Sequence, residues 1–353
     1  MKKKRVGIIG AAGYTGGELV RLLLAHDGTD LVAVQSRSQA GRNVSEHFSD
    51  LAGETELKFK PSIDEYLNHI DVLFLALPHG ESKIYLAGNQ IPEQVQIIDL
   101  SQDFRVQAQA QFSDRKFVYG LPERYRDEIK NAKNIANPGC FATAIQLSLL
   151  PLARRGLLNN VFVTGITGST GAGVKASATT HFSFRANNIQ AYKGLSHQHL
   201  AEVEETLTGL QQSNAHASRA RGSASQESGS HGSSSDAHAV KINFVPWRGD
   251  FTRGIFVTSQ LETKLSKKDV LDFFQNDYED HPFVRVTTDA IDLKSVVNTN
   301  RALIEINQEG TTLAIHVAID NLLKGASGQA VQNYNLMSGF PETLGLKLKG
   351  VVY

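Results

Sequence analysis

A single cysteine in 353 residues excludes an internal disulfide and any thiolate cluster for zinc. An excess of one charge is also missing: 36 Lys and Arg balance 36 Asp and Glu. No net field therefore draws the chain to nucleic acid or to an anionic membrane. No apolar run approaches the length of a membrane span. The basic start MKKKR leads into a short β-branched run ending in glycine, where a secretory leader would continue into a long apolar region and a cleavage site. Nucleic acid and membrane are thus not expected as partners, and the cytoplasm is the expected compartment. What is present is 41% hydrophobic and 20% charged residues, in a chain long enough for two domains with separate cores.

Short apolar strands alternate with helical patterns in the first part of the chain. RVGIIG (5–10), DLVAVQS (30–36), DVLFLALPHG (71–80) and VQIIDLS (95–101) are apolar on both faces, as strands of a buried parallel sheet are. GGELVRLLLAH (16–26) carries Leu19, Leu22 and Leu23 on one helical stripe. This predicts an α/β fold: a Rossmann-type doubly wound parallel sheet over residues 1–145, which binds its ligand at the carboxyl ends of the strands. From 146 to 324 the pattern turns strand-rich and alternating, which predicts an α+β second domain on a mixed or antiparallel sheet. Residues 325–353 are expected to pack back on the first domain. The Ser-, Gly- and His-rich segment 211–239 has no aliphatic or aromatic residue larger than alanine. It is expected to be a disordered insertion, because it cannot bury enough apolar area to offset the entropy of ordering. Its histidines show no regular ligand spacing, and no metal site is expected there.

The turn GIIGAAGYTGGE places Gly10, Gly13 and Gly16 after a strand and at the opening of a helix. Gly10 suits the tight turn, and Gly13 suits close approach of a pyrophosphate to a helix N-terminus. The second strand ends in Ser36, Arg37 and Ser38, where an NAD site usually carries an acidic residue for the ribose 2′-hydroxyl. Hydroxyls and a guanidinium match a 2′-phosphate, so NADP(H) is expected rather than NAD.

The one cysteine, Cys140, follows Pro138-Gly139 where a loop becomes an apolar helix. Backbone N–H groups at a helix start are expected to lower its pKa and to support an oxyanion beside it. LSHQHLAEVEE offers His197 and His199, which suit general acid–base work. Two residues apart on an extended backbone, they also suit a two-ligand chelate, but no third ligand joins them and no metal is expected.

NPGCFAT, preceded by GAAGYTGGEL, LALPHG, DLSQDFR and YGLPE and followed by GSTGAG, HQH, FTRGIF and AIDNLLKGASGQAVQNYN, resembles the N-acetyl-γ-glutamyl-phosphate reductases of the semialdehyde dehydrogenase family. The resemblance runs in order along nearly the whole chain, the segment 211–239 being the main departure. It implies NADPH-dependent reduction of an acyl phosphate to a semialdehyde through a cysteine thioester, in arginine biosynthesis. Cys140 would be the nucleophile and His197 the general acid–base, with His199 lining the pocket. Ala12, Tyr14, Thr15, Pro78, Asn321 and Gly325 would join the glycine turn in holding the cofactor. Arg105 would meet the substrate carboxylate, and Lys175 and Arg253 are candidates for phosphate. A homo-oligomer, dimer or tetramer, is implied. Another N-acyl group or an aminoadipyl chain remains open as substrate. Aspartate-semialdehyde and glyceraldehyde-phosphate dehydrogenases share the thiol and hydride logic, but the Pro-Gly directly before the cysteine and the HQH pair favour the glutamyl-phosphate reductases. A redox-sensing NADP-binding protein would need neither the histidines nor the anion-site motifs.

Overall fold

The computed structural model describes residues 2–222 and 239–351. Fourteen strands among them form two sheets of seven. The first contains β1 (Lys4–Ile9), β2 (Thr29–Gln35), β3 (Val72–Leu75), β4 (Gln96–Asp99), β5 (Gln111–Phe112), β6 (Arg115–Tyr119) and β7 (Asn134–Ala136). Their order is β2-β1-β3-β4-β7-β6-β5, all parallel except the β5–β6 hairpin. Both faces are covered, which is why the strands read as unbroken apolar runs. Along β3, Val72 and Phe74 enter one core with Leu19 and Tyr334, while Leu73 and Leu75 enter another with Ile63 and Phe104. The chain leaves β1 toward β2 on one side and later returns to β3 on the other. The ends of β1 and β3 therefore flank the switch point where such sheets open a crevice.

The second sheet contains β8 (Val161–Thr167), β9 (Gln190–Ala191), β10 (Ile242–Arg248), β11 (Ile255–Glu262), β12 (Val284–Thr287), β13 (Ala302–Glu309) and β14 (Thr312–Ile319). The order is β12-β13-β14-β11-β8-β10-β9, with β8–β10 and β12–β13 parallel and the other pairs antiparallel, a mixed sheet. One face packs on the helices Cys140–Ala153, Leu200–Gly222 and Lys267–Tyr278, and burial alternates along β11 and β13 accordingly.

Three boundaries differ from expectation or refine it. The Cys140–Ala153 helix lies whole in the second core, from Phe141 to Ala153, so the change of layer falls before Cys140 and not after residue 145. The expected break at 145 followed the change in strand pattern, which does not reveal the layer a connecting helix joins. The helix Gly328–Ser338 and the chain to Leu346 pack into the first core, with the Tyr334 hydroxyl donating to the Gly28 carbonyl (3.3 Å). The segment expected to be disordered from residue 211 begins inside a helix that runs from Leu200 to Gly222. Val203, Leu207 and Leu210 bury its first turns, Gln211 brackets Leu158 through both amide atoms (3.0 and 3.1 Å), and helix extends cheaply from such an anchored start. Residues 223–238 of that segment lie outside the described residues. Among the described residues no helix is long and apolar enough to cross a membrane, and no three His, Cys, Asp or Glu side chains form a metal-sized group.

Candidate active site

Both sheets deliver strand ends to one cleft of about 1230 Å³. Gly10 follows β1 and Ala76 to Pro78 follow β3; Thr167 ends β8, Arg248 ends β10, and Asn321 follows β14. The cleft has two limbs, and Cys140 stands where they meet.

The first limb is built from backbone. Gly10 holds φ +79°, and a Cβ there would lie 2.3 Å from the Ala76 carbonyl oxygen, so only glycine fits. Gly16 is tight for another reason: its Cβ would lie 2.3 Å from the Gly10 carbonyl oxygen, so it sets the close packing of helix on strand and does not itself line the cleft. Gly13 precedes the helix Tyr14–Leu24, whose N-terminus has no side-chain cap and no acidic residue in its first turn. Its free N–H groups and dipole thus suit an anion. Ala12, Gly13, Tyr14 and Thr15 line the cleft here, with Ser36, Arg37 and Ser38 from the end of β2 and Pro78 opposite. Ser36 is buried and Arg37 exposed, and no carboxylate stands among them. Open helix N–H groups beside a free guanidinium fit a dinucleotide carrying a 2′-phosphate.

The second limb is built from side chains. Gly139 is the extended residue before the helix (φ −69°, ψ 152°) and Cys140 is its first helical residue. Gly139 is needed for space, since a Cβ would lie 2.4 Å from His199 Nε2. On the other side of the thiol a Cβ on Gly325 would lie 2.8 Å from Cys140 Cβ. Gly325 belongs to a one-turn π-helix, Leu323–Ser327, a wide turn found often at functional sites. His197 lies in an aromatic cage, its ring 5.7 Å from Phe141, 5.5 Å from Phe244, 5.8 Å from Tyr192 and 4.6 Å from His199, centroid to centroid. Burial pushes its pKa down to about 4, assisted by the positive charges of Lys193 and Arg248. Burial likewise holds His199 well below the usual histidine range, and its Nδ1 has no partner.

Three comparisons bear on this geometry. Residues 5–132 match the family described as semialdehyde dehydrogenase, NAD binding domain, and residues 140–219 and 224–321 match its dimerisation domain. The chain belongs to the semialdehyde dehydrogenase family. Proteins named N-acetyl-gamma-glutamyl-phosphate reductase from Phocaeicola vulgatus and Bacteroides thetaiotaomicron are each 46% identical over 346 residues, 98% of this chain and of theirs. Among solved structures, aspartate semialdehyde dehydrogenase II from Vibrio cholerae, complexed with ASA, superposes with a TM-score of 0.67 at 15% identity. The aspartate semialdehyde dehydrogenase from Candida albicans with NADP gives 0.63, also at 15%. Each alignment covers 96% of this chain and 99% of the other, and at that identity the likeness is one of fold.

Within this semialdehyde dehydrogenase the thiol departs from expectation. The Phe141 N–H at the helix start favours thiolate, but burial outweighs it and raises the Cys140 pKa to about 11. At neutral pH the pair is a neutral thiol and a neutral imidazole.

Arg105 lines the cleft but does not stand free for a carboxylate as expected. Its Nε donates to the Asn137 carbonyl (2.8 Å), one terminal nitrogen to the Leu100 carbonyl (2.8 Å) and the other to Glu202 Oε1 (3.1 Å). Arg253 lies outside the cleft and is not placed for phosphate. It bridges the two domains, with Nε on Asp320 (2.7 Å) and a terminal nitrogen on Glu18 (2.8 Å). Lys175 lies exposed on the cleft-lining loop after the turn Ser169–Ala172. Asn321 faces the cleft while its amide joins Gly254 N (2.7 Å) and Thr170 Oγ1 (3.0 Å).

Glu202 escaped the sequence reading. It is buried, and besides Arg105 it accepts from the Gly139 N–H (3.1 Å) and the Tyr119 hydroxyl (2.6 Å), which in turn accepts from Gln146 (2.8 Å). The residue before the thiol is thus tied to a carboxylate three positions after His199. The one signal for it was that spacing, a helical turn beyond the histidine pair. Asn137 braces the same loop from behind, donating to the Ala326 carbonyl (3.1 Å) in the π-turn.

Proposed function

We propose that this protein reduces an N-acylglutamyl 5-phosphate, the N-acetyl compound first, to the 5-semialdehyde with release of phosphate, using NADPH, as a step of arginine biosynthesis. The observation that carries the reading is Cys140 at a helix start, sharing its cleft with a neutral imidazole and a glycine-built anion turn. The full-length likeness to proteins named for that reaction supports the substrate class.

As the Cys140 sulfur attacks the acyl carbon, His197 takes the thiol proton, a transfer that a low-pKa, neutral imidazole is free to accept. The backbone N–H groups at the helix start favour the oxyanion that forms beside the sulfur. The sulfur–carbon bond forms and the carbon–oxygen bond to phosphate breaks, with the proton passing from His197 to the departing phosphate. Cys140 is left as a thioester, which accepts hydride more readily than a carboxylate does. The glycine turn with Ser36, Arg37 and Ser38 would hold NADPH, and the cofactor would supply that hydride. The carbon–sulfur bond then breaks, the semialdehyde leaves, and the sulfur regains a proton from solvent. His199 and Glu202 position the loop and exclude water. The family's dimerisation domain supports a homo-oligomer, and the exposed Phe162 (53%) and Phe182 (81%) suit a covered surface. The setting is the cytoplasm.

The test runs the reaction backwards: purified protein, N-acetylglutamate 5-semialdehyde, NADP and inorganic phosphate, followed by NADPH absorbance. Phosphate-dependent reduction, lost in Cys140→Ala, is expected. Activity only with a differently capped semialdehyde would change the acyl group and keep the mechanism. Silence with every such semialdehyde would overturn the reaction. Light scattering that finds only monomer at micromolar concentration would overturn the homo-oligomer.

A further inference from the structure

With Arg105 and Arg253 both engaged by protein carboxylates, the cleft lacks the cation expected to meet the substrate carboxylate. The other cations lining it differ in kind. Arg37 is exposed at the dinucleotide limb, Lys175 is exposed on a loop, and Lys193 is exposed and donates to Gln198 (2.9 Å). Arg248 is different. It ends β10, held between β8 and β9 by pairing to Thr167 and Gln190, so a rigid sheet aims it into the cleft. It is partly buried, its guanidinium carbon lies 4.8 Å from the centre of the Tyr192 ring, its one side-chain partner is the Tyr192 hydroxyl, and it forms no salt bridge among the described residues. Its Nε is buried without a partner. A half-buried guanidinium held only by a tyrosine, stacked on its ring and within reach of its hydroxyl, with no carboxylate paired to it among the described residues, is an anion site with its orientation already fixed.

The ring that carries Arg248 also borders the reacting groups: the Tyr192 and His197 ring centres lie 5.8 Å apart. In a glutamyl chain four carbon–carbon bonds of roughly 1.5 Å separate the reacting carbon from the α-carboxylate carbon. The Tyr192 ring centre lies 4.8 Å from the Arg248 guanidinium carbon and 5.8 Å from the His197 ring centre, distances of that order.

Resting on the reaction proposed above, we infer that Arg248 is the residue that recognises the substrate α-carboxylate and thereby sets the length and charge of the chain presented to Cys140. Two ionised groups of the reactants, the carboxylate and the phosphate, share the chemistry that would suit a guanidinium. The proposal assigns the carboxylate, because Arg248 is anchored on the Tyr192 ring, whereas the leaving phosphate must depart from the reacting carbon itself.

The reverse reaction separates the two. Arg248→Met keeps the bulk and stacking and removes the charge, and Arg248→Lys keeps the charge and removes the fork. In Arg248→Met the KM for N-acetylglutamate 5-semialdehyde should rise about 30- to 100-fold, the loss expected for a charge-assisted pair, with the KM for inorganic phosphate unchanged. Arg248→Lys should fall between. A second readout does not depend on how well the variant folds: the ratio of kcat/KM for the semialdehyde to that for its neutral α-carboxamide. Wild type should favour the acid by a similar factor, and Arg248→Met should show no preference. A rise in the KM for phosphate instead would overturn the assignment, as would an unchanged ratio. Wild-type inactivity with all N-acylglutamate semialdehydes would overturn the reaction itself, which is a different failure from a wild type that is active and a variant that is indifferent.

Discussion

The dinucleotide limb and the thiol limb of the cleft are assembled from different materials. The first is backbone: three glycines, an uncapped helix start and the end of one strand, all within the first 38 residues. The second is side chain: Cys140, His197, His199, Glu202, Arg105 and Tyr119 come from four separate stretches and converge through buried hydrogen bonds and ring contacts. A backbone-built limb tolerates many substitutions, provided the glycines remain, because the peptide groups do the binding. A limb built from side chains fails at single positions, because each member leaves a buried partner unpaired.

The sharpest way to break the thiol limb without removing the nucleophile is His197→Asn. Loss of a positioned general acid–base should lower kcat about 10²- to 10⁴-fold, while the affinity for NADPH, measured by fluorescence titration, stays as in wild type. Near-normal turnover would remove His197 from the mechanism. Next in size is Glu202→Ala. It leaves the Arg105 guanidinium buried beside an empty site and releases the Gly139 N–H. Breaking a buried pair from one side costs about 3–5 kcal/mol, which denaturant unfolding of the variant should record. The double variant Glu202→Ala with Arg105→Met should recover part of that stability but not the turnover. Full recovery of both would mean that the pair does not position the loop.

The contrast between the limbs also explains what was legible in the sequence. The glycine turn could be read because its chemistry lies in adjacent residues, and strand and helix on either side confirm it. The two-sheet architecture could be read because apolar runs and alternation report whether one or both faces are covered. Arg105 and Arg253 were misread for a common reason. An arginine's partner is set by the fold, here Glu202, 97 positions away from Arg105, and Glu18, 235 positions away from Arg253, and nothing local names it. The Cys140 pKa was misjudged in the same way. The helix start was visible, but the burial that outweighs it depends on residues distant in sequence: Cys140 packs against the second core, and Gly325 lies against its Cβ. The helix through Gly222 was missed because composition records what a segment can bury, not what anchors its first turn.

The backbone limb should show a smaller and more selective effect. Arg37→Ala leaves every peptide group of the turn in place and removes the one free cation among the described residues at the end of β2. The KM for NADPH should rise about 10-fold with that for NADH unchanged, the size of one exposed charge-assisted contact. Equal weakening toward both cofactors would show that Arg37 supports the loop and does not read the phosphate.

The two regions should also answer acid in opposite directions. His197 is buried with a folded pKa near 4, so between pH 6.5 and 4 the unfolded chain binds the proton that the folded one refuses. Stability from this group is therefore present at neutral pH and lost on acidification, by about 2 kcal/mol between pH 7 and 5. Asp99 is an acid at the end of β4, fully buried against Ser82 and Ser101, and burial raises its pKa to about 6. Here the folded state binds the proton more tightly, so the same acidification contributes about 1 kcal/mol in favour of folding. His199, His281 and His26 are all held low by burial and add to the first trend, so the whole protein should lose stability from pH 7 to 5. Asp99→Asn should steepen that loss and His197→Asn should flatten it, as read from urea unfolding at the two pH values. If both variants shift the slope in the same direction, the opposed titration of sheet end and thiol limb is wrong.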